Sequence, residues 1–250
     1  MAGHSKWAGI KHKKAIVDAQ RGKAFTKVVR EITVAAKQGG GSPDGNPRLR
    51  MAISKARDVN LPKDKIEQAI KKGTGELPGV SYEETVFEGY GPGGVAILVE
   101  ALTDNKNRTS AEVRNLFTKH HGNLAGAGSV SWLFHRKGYL LVNAPVSDEE
   151  KLLSIVLDHG AEDVVREGEG FAITADPQHF ETVKQALADA KVPVESADLT
   201  KIPQNQVRVT GQDATRVLAL VEALEEHDDV QQVYANFDIP DELLKAVAES

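Results

Sequence analysis

The residues of this 250-residue chain whose types and spacing could do chemistry are cations, and they crowd one end. Lys6, Lys11, His12, Lys13 and Lys14 surround a single aromatic, Trp7; Arg21, Lys23, Lys27 and Arg30 follow, then Arg48, Arg50, Lys55 and Arg57. Residues 1 to 72 hold 17 Lys+Arg against 6 Asp+Glu, a balance of +11, whereas the other 178 hold 14 against 30, a balance of −16. A domain-wide excess of positive charge implies a polyanionic partner, and the acidic remainder, repelled by that partner, keeps the chain in solution. Lysine and arginine neutralise phosphates and release counterions, which gives affinity without sequence discrimination. Trp7, set among these cations, reads either as a ring that stacks on an unpaired base or as an anchor packing the arm onto neighbouring helices. Arg48 and Arg50 flank Leu49 at the start of a helix and read as phosphate clamps, or as a solvated helix face. Lys106 and Arg108 form a possible second contact inside the polar run TDNKNRT, where the default reading is a turn with Asn107 or Thr109 as helix cap.

Other chemistries find little support. The chain has no cysteine, which excludes disulfides, thiolate catalysis and Cys-ligated zinc and fits a reducing cytoplasm. The 8 histidines show neither an HExxH pattern nor a metal-ligand spacing, and His120 and His121 before Gly122 read as dipole partners at a helix end. The glycines of GYGPGGVA expose backbone N–H groups that could cradle an anion, but the run lacks GK[ST] and leads into a strand, so it reads as a hairpin turn. With no nucleophile, base and orienting group in view, the pattern points to a binding protein rather than an enzyme, without cofactor, metal or small-molecule substrate. The N-terminal residues are basic but lead into no apolar h-region, and no stretch approaches the roughly 18 apolar residues of a membrane span. A cytoplasmic protein without a membrane partner is the expectation.

These residues need elements to hold them. Residues 1–20 show no sustained period and read as a flexible basic arm. From Arg21, the apolar positions Phe25, Val28, Val29, Ile32 and Ala36 recur at helical spacing, with the cations largely off the stripe. GGGSPDG ends that helix, Asn46 and Pro47 open a second, Pro62 opens a third and Gly73 closes it, giving a basic three-helix domain over 21–78. Residues 83–89 and 94–102 read as strands, 111–120 as a helix and SVSWLF at 129–134 as a third strand. From Gly138 the order is strand, helix, strand, strand, helix, strand, the ferredoxin-like sequence of elements. A further strand, helix and strand follow with no sheet of their own. They are expected to complete the sheet begun at 83–134, which makes 79–136 plus 204–240 a discontinuous α/β domain, 137–203 an insertion and 241–250 a C-terminal tail. The fold class is α+β.

GHSKWAGIKHKK, RGKAFTKVVREITVAAKQGG, NPRLR, KGTGE, EGYGPGG, TDNKNRT and GSVSWLF together resemble the YebC/PmpR family over essentially the whole chain. The resemblance implies a helical N-terminal domain followed by two ferredoxin-like α/β domains, and a DNA-binding regulator of transcription. Members also resemble a mitochondrial translational activator of cytochrome oxidase subunit I. The alternative it implies is therefore a ribosome-associated, RNA-binding translation factor that assists synthesis of proline-rich segments. The partner in either case is nucleic acid.

Overall fold

The structure, a computed structural model, describes residues 18–143, 149–167, 170–240 and 243. The arm expected over 1–20 lies almost wholly outside the described residues, as does most of the tail, but α1 (Asp18–Gly39) begins inside the arm's expected span. With α2 (Pro47–Asp58) and α3 (Lys63–Gly73) it closes a small core of Ile32, Ala35, Ala36, Leu49, Ala52, Ala56, Leu61, Ile66 and Ala69. Asn46 sews the first two helices together. Its Oδ1 accepts the Leu49 N–H at 3.0 Å to cap α2, while its Nδ2 donates to the carbonyls of Ala35 and Gly40. Gly73 lets α3 cross α1 closely, because a Cβ there would stand 2.4 Å from the Thr33 carbonyl oxygen.

The middle unit opens with a hairpin, β1 (Glu83–Tyr90) and β2 (Ala96–Thr103), paired antiparallel across the Gly91–Gly94 turn. Gly93 and Gly94 take positive φ there, so the turn reading of GYGPGG holds. Next come α4 (Lys106–Lys119) and the short β3 (Asn123–Ala125), which pairs with β1. After the inserted unit the chain returns through β8 (Val207–Arg208), α7 (Gly211–Glu225), β9 (Val230–Ala235) and β10 (Phe237–Asp238). β9 pairs with β2, so the sheet runs β3-β1-β2-β9, while β8 and β10 form a separate parallel pair. Residues more than 100 positions apart thus share one sheet, as the orphan elements required. α4 and α7 cover one face of it around Phe87, Ile97, Val99, Val113, Phe117, Val217 and Val221. Gly89 faces those helices too, since a Cβ on it would meet Phe117 at 2.6 Å.

The inserted unit is β4 (Phe134–Asn143), α5 (Glu149–Val156), β5 (Ala161–Glu167), β6 (Gly170–Ala175), α6 (Phe180–Asp189) and β7 (Val194–Pro203). Its strand order, β5-β6-β4-β7 and antiparallel throughout, is that of a ferredoxin-like sheet. Phe134 and Pro203 are register partners, so the insertion leaves and rejoins the middle unit at one point.

Two local readings need correction. SVSWLF is not a strand: Ser131–Leu133 form a turn of 3-10 helix, and β4 starts only at Phe134. TDNKNRT is not a loop either. Asn105 caps α4, accepting the Arg108 N–H at 3.1 Å, and Lys106 to Thr109 already belong to the first turn.

Candidate nucleic-acid interface

Of the cations singled out in the sequence, those the structure describes form two sets. One set turns inward to the middle unit, where the last carbonyls of α7 and the turn beyond it present negative charge. Lys23 Nζ donates to the Glu226 carbonyl at 3.3 Å and Lys27 Nζ to the Glu225 carbonyl at 2.5 Å. Burial is the chief influence on Lys27 and lowers its pKa to about 8, although Glu225 and Asp228 pull it upward. Arg30 reaches further. Its guanidinium donates to the carbonyls of Leu102 and Asp228 and to Asp229 Oδ1, the last at 2.5 Å, and lies 5.3 Å over the ring of Tyr82. Arg48 grips Glu31 through Nε at 2.9 Å, donates to Gln38 and pairs with Glu84 of β1. Periodicity identified an outer basic face, and part of that face lies against other residues of the chain.

Asp229 is the centre of that interface. Its side chain is 4% exposed and accepts from Arg30, from Arg108 at 3.0 Å and from the hydroxyls of Thr103 and Thr109. Burial alone would raise its pKa; the hydrogen bonds from Thr109, Arg108 and Arg30 outweigh that and hold it at about 2. Arg108, expected as a possible second contact, pairs here and with Asp104 at 2.7 Å, and its side chain is 43% exposed. Asp229 also lies with Glu112 and His227 in a group whose ligand atoms fall within 4.8 Å of one another. The group fits a metal ion poorly. His227 Nδ1 accepts the Asp229 N–H, its Nε2 faces Glu112 at 2.9 Å, and two guanidinium groups already neutralise the carboxylate.

The second set faces solvent. Arg50 and Arg57 are exposed on α2, and among the described residues no carboxylate pairs with either. Lys55, also exposed, stands 4.0 Å from Asp198 of β7, and Lys106 is exposed on the first turn of α4. Arg21 belongs to neither set: it lies in α1, and its side chain is outside what the structure describes. Lys6, Trp7, Lys11, His12, Lys13 and Lys14 lie outside the described residues. The outward-facing set can bind phosphates without breaking internal bonds, since only Lys55 has a distant, solvent-screened carboxylate beside it.

Sequence reasoning missed an ordered aromatic site on the sheet face opposite the helices. Glu88, 6% exposed, accepts the N–H groups of Gly128, Val130 and Ser131 at 2.7–2.8 Å. Burial would raise its pKa, but these three bonds lower it. They fix the GAGSVSW loop on the sheet, with Val130, Leu133 and Phe134 packed against Ala96 and Leu98. Trp132 is left 62% exposed; its Nε1 donates to the Ser129 carbonyl, and the hydroxyl of Tyr90 donates to the same oxygen. An aromatic within a glycine- and serine-rich run was the available signal, but its distant partner Glu88 was not legible.

Comparison with known proteins covers all three units. The model of the TACO1/YebC protein N-terminal domain matches residues 5–76, and that of the TACO1/YebC second and third domain matches residues 82–237. A "Probable transcriptional regulatory protein" of Dictyoglomus turgidum is 54% identical over 249 residues, 99% of this chain and 100% of the relative. One of the same description from Geobacter sulfurreducens is 57% identical over 242 residues, 97% of this chain and 98% of its own. The crystal structure of a conserved hypothetical protein from Aquifex aeolicus is 53% identical and superposes with a TM-score of 0.81, covering 94% of this chain and 97% of that one. With matches over the helical domain and over both sheet-bearing units, the chain belongs to the TACO1/YebC family.

Proposed function

We propose that this chain is a nucleic-acid-binding regulator of gene expression, with DNA as its target. The observation that carries the reading is the pair Arg50 and Arg57, exposed on α2 beside Lys55 while Lys27, Arg30 and Arg48 of the same domain are engaged within the chain. An exposed guanidinium without a carboxylate partner is ready to take a phosphate bidentately. The relatives described as probable transcriptional regulatory proteins support regulation as the outcome of binding. We read the chain as a binder rather than an enzyme, because the titratable group around Asp229, among the described residues, is an ion-pair network with its atoms committed.

A second reading, RNA at the level of translation, is favoured by the exposure of Trp132, since an unpaired base can stack on such a ring and a closed duplex cannot. Crosslinking in cells, followed by sequencing of both bound DNA and bound RNA, decides between them. Discrete DNA segments are the expected result. Enrichment of ribosomal RNA instead would transfer the function to translation, and neither nucleic acid above background would overturn both.

A further inference from the structure

The sheet face that carries Glu84, Val86, Glu88 and Tyr90 belongs to an acidic part of the chain, yet each of its carboxylates is engaged from within. Glu84 pairs with Arg48 of the helical domain. Glu88 is held by three backbone N–H groups. Glu100, the register partner of Val86, pairs with Lys201 of the inserted unit and accepts from Tyr234. Beside the paired Glu84, three apolar or aromatic side chains stand open to solvent on this face: Val86 at 48%, Tyr90 at 40% and Trp132 at 62% exposure. The strip begins under α2, which is tied to it by Arg48 on Glu84 and reaches the inserted unit where Lys55 approaches Asp198. From Glu84 to Tyr90 the strand rises roughly 20 Å, which a single strand of several nucleotides can span.

We infer that Trp132 and Tyr90 form a stacking platform for an unpaired nucleobase, continuous with the phosphate-binding cations of α2, so that the bound strand is single over this stretch. The inference rests on the nucleic-acid reading above and adds the state of the strand. Both rings are fixed before binding, because their polar groups share the Ser129 carbonyl and the loop behind it is locked by Glu88. A platform ordered in advance loses little conformational freedom when a base arrives. Pairing Glu84 with Arg48 and Glu100 with Lys201 reduces the repulsion that an acidic domain would otherwise present to a phosphate chain. An aromatic face with cations at one end suits a base and its backbone together, as in other proteins that bind single strands.

The test uses the full-length protein. The chain has 2 tryptophans, so in a Trp7→Phe variant the fluorescence reports Trp132 alone. Single-stranded oligonucleotides of about 12 residues, as RNA and as DNA, should quench that fluorescence and shield it from acrylamide, whereas a blunt duplex should do neither. Trp132→Ala should weaken single-strand binding roughly 5- to 100-fold with duplex binding close to wild type, and Trp132→Tyr should restore most of the loss. A loss confined to RNA would assign a ribose-bearing strand to the platform, and equal losses an unpaired base of either kind. Unchanged Trp132 fluorescence at saturating oligonucleotide, or wild-type single-strand affinity in Trp132→Ala, would overturn the inference while the cation-based reading stands. Shielding by a cell extract that survives nuclease treatment, without shielding by oligonucleotides, would give the face to a protein partner and overturn it equally. A wild type that binds neither strand nor duplex would overturn the underlying reading itself.

Discussion

A cation's role depends on what it meets, and that is rarely local. Arg30 and Arg50 look alike in the sequence, each basic and off an apolar stripe, yet Arg30 ends on a buried carboxylate about 200 positions away while Arg50 ends in water. No helical period distinguishes them. Breaking the pair by Asp229→Ala strands the Arg30 charge in a poorly hydrated site and should lower stability by about 3–5 kcal/mol in urea denaturation. The pH dependence follows from the depressed Asp229 pKa of about 2. A carboxyl held below its unfolded value contributes fully above about pH 4 and loses that contribution as pH falls toward 2, so the variant should show a shallower acid limb. Lys27 has the opposite consequence. Its lowered pKa of about 8 means that the folded protein disfavours the charged form, a cost present at neutral pH and relieved as pH rises from 8 toward 10.5. Lys27→Met keeps the aliphatic stem, so it should be at least as stable as wild type at pH 7 and lack that alkaline gain, as thermal melts across the range can measure.

At the scale of elements, the helices were legible because caps and periods agree: Asn46 and Pro47 start α2 as expected, and the apolar stripe of α1 faces its core. SVSWLF misled because Val130, Trp132 and Phe134 alternate as in a half-buried strand. Glu88 decides otherwise, drawing three consecutive-region N–H groups onto one buried carboxylate and turning the chain so that Val130, Leu133 and Phe134 go inward and Trp132 outward. Glu88→Gln keeps the shape but replaces an acceptor with a donor aimed at those N–H groups. It should cost about 1–3 kcal/mol and raise acrylamide access to Trp132, while a variant with wild-type stability and an unchanged emission would show that the loop holds itself.

The whole molecule joins three units by charge and by one hairpin-like stem. Residues 134–203 run strand, helix, strand, strand, helix, strand, an order legible because turns or helices separate the strands. What the sequence could not give was how the basic domain sits, because that depends on Asp229, Glu84 and the end of α7, each remote in the chain from its partner. Gly138 pairs with Leu199 in the same ladder that joins Lys137 to Thr200, so residues 138–199 can be removed and Lys137 joined to Thr200 through Asn-Gly. The remainder should still unfold cooperatively, as its own sheet and core do not depend on the excised strands; a non-cooperative melt would contradict the division.

The central claim is that the outward cations of α2, and not the inward cations of α1, carry nucleic-acid affinity. Its most direct test is equilibrium binding to one oligonucleotide over a range of salt, comparing wild type with Arg50→Ala, Lys55→Ala and Arg57→Ala combined. If about five phosphates are engaged, the wild-type log–log slope should lie near −3.5 to −4.5, and losing three of those contacts should flatten it by roughly 2 to 3 while weakening binding most at low salt. A triple variant that matches wild type in affinity and slope at every salt concentration would contradict the account.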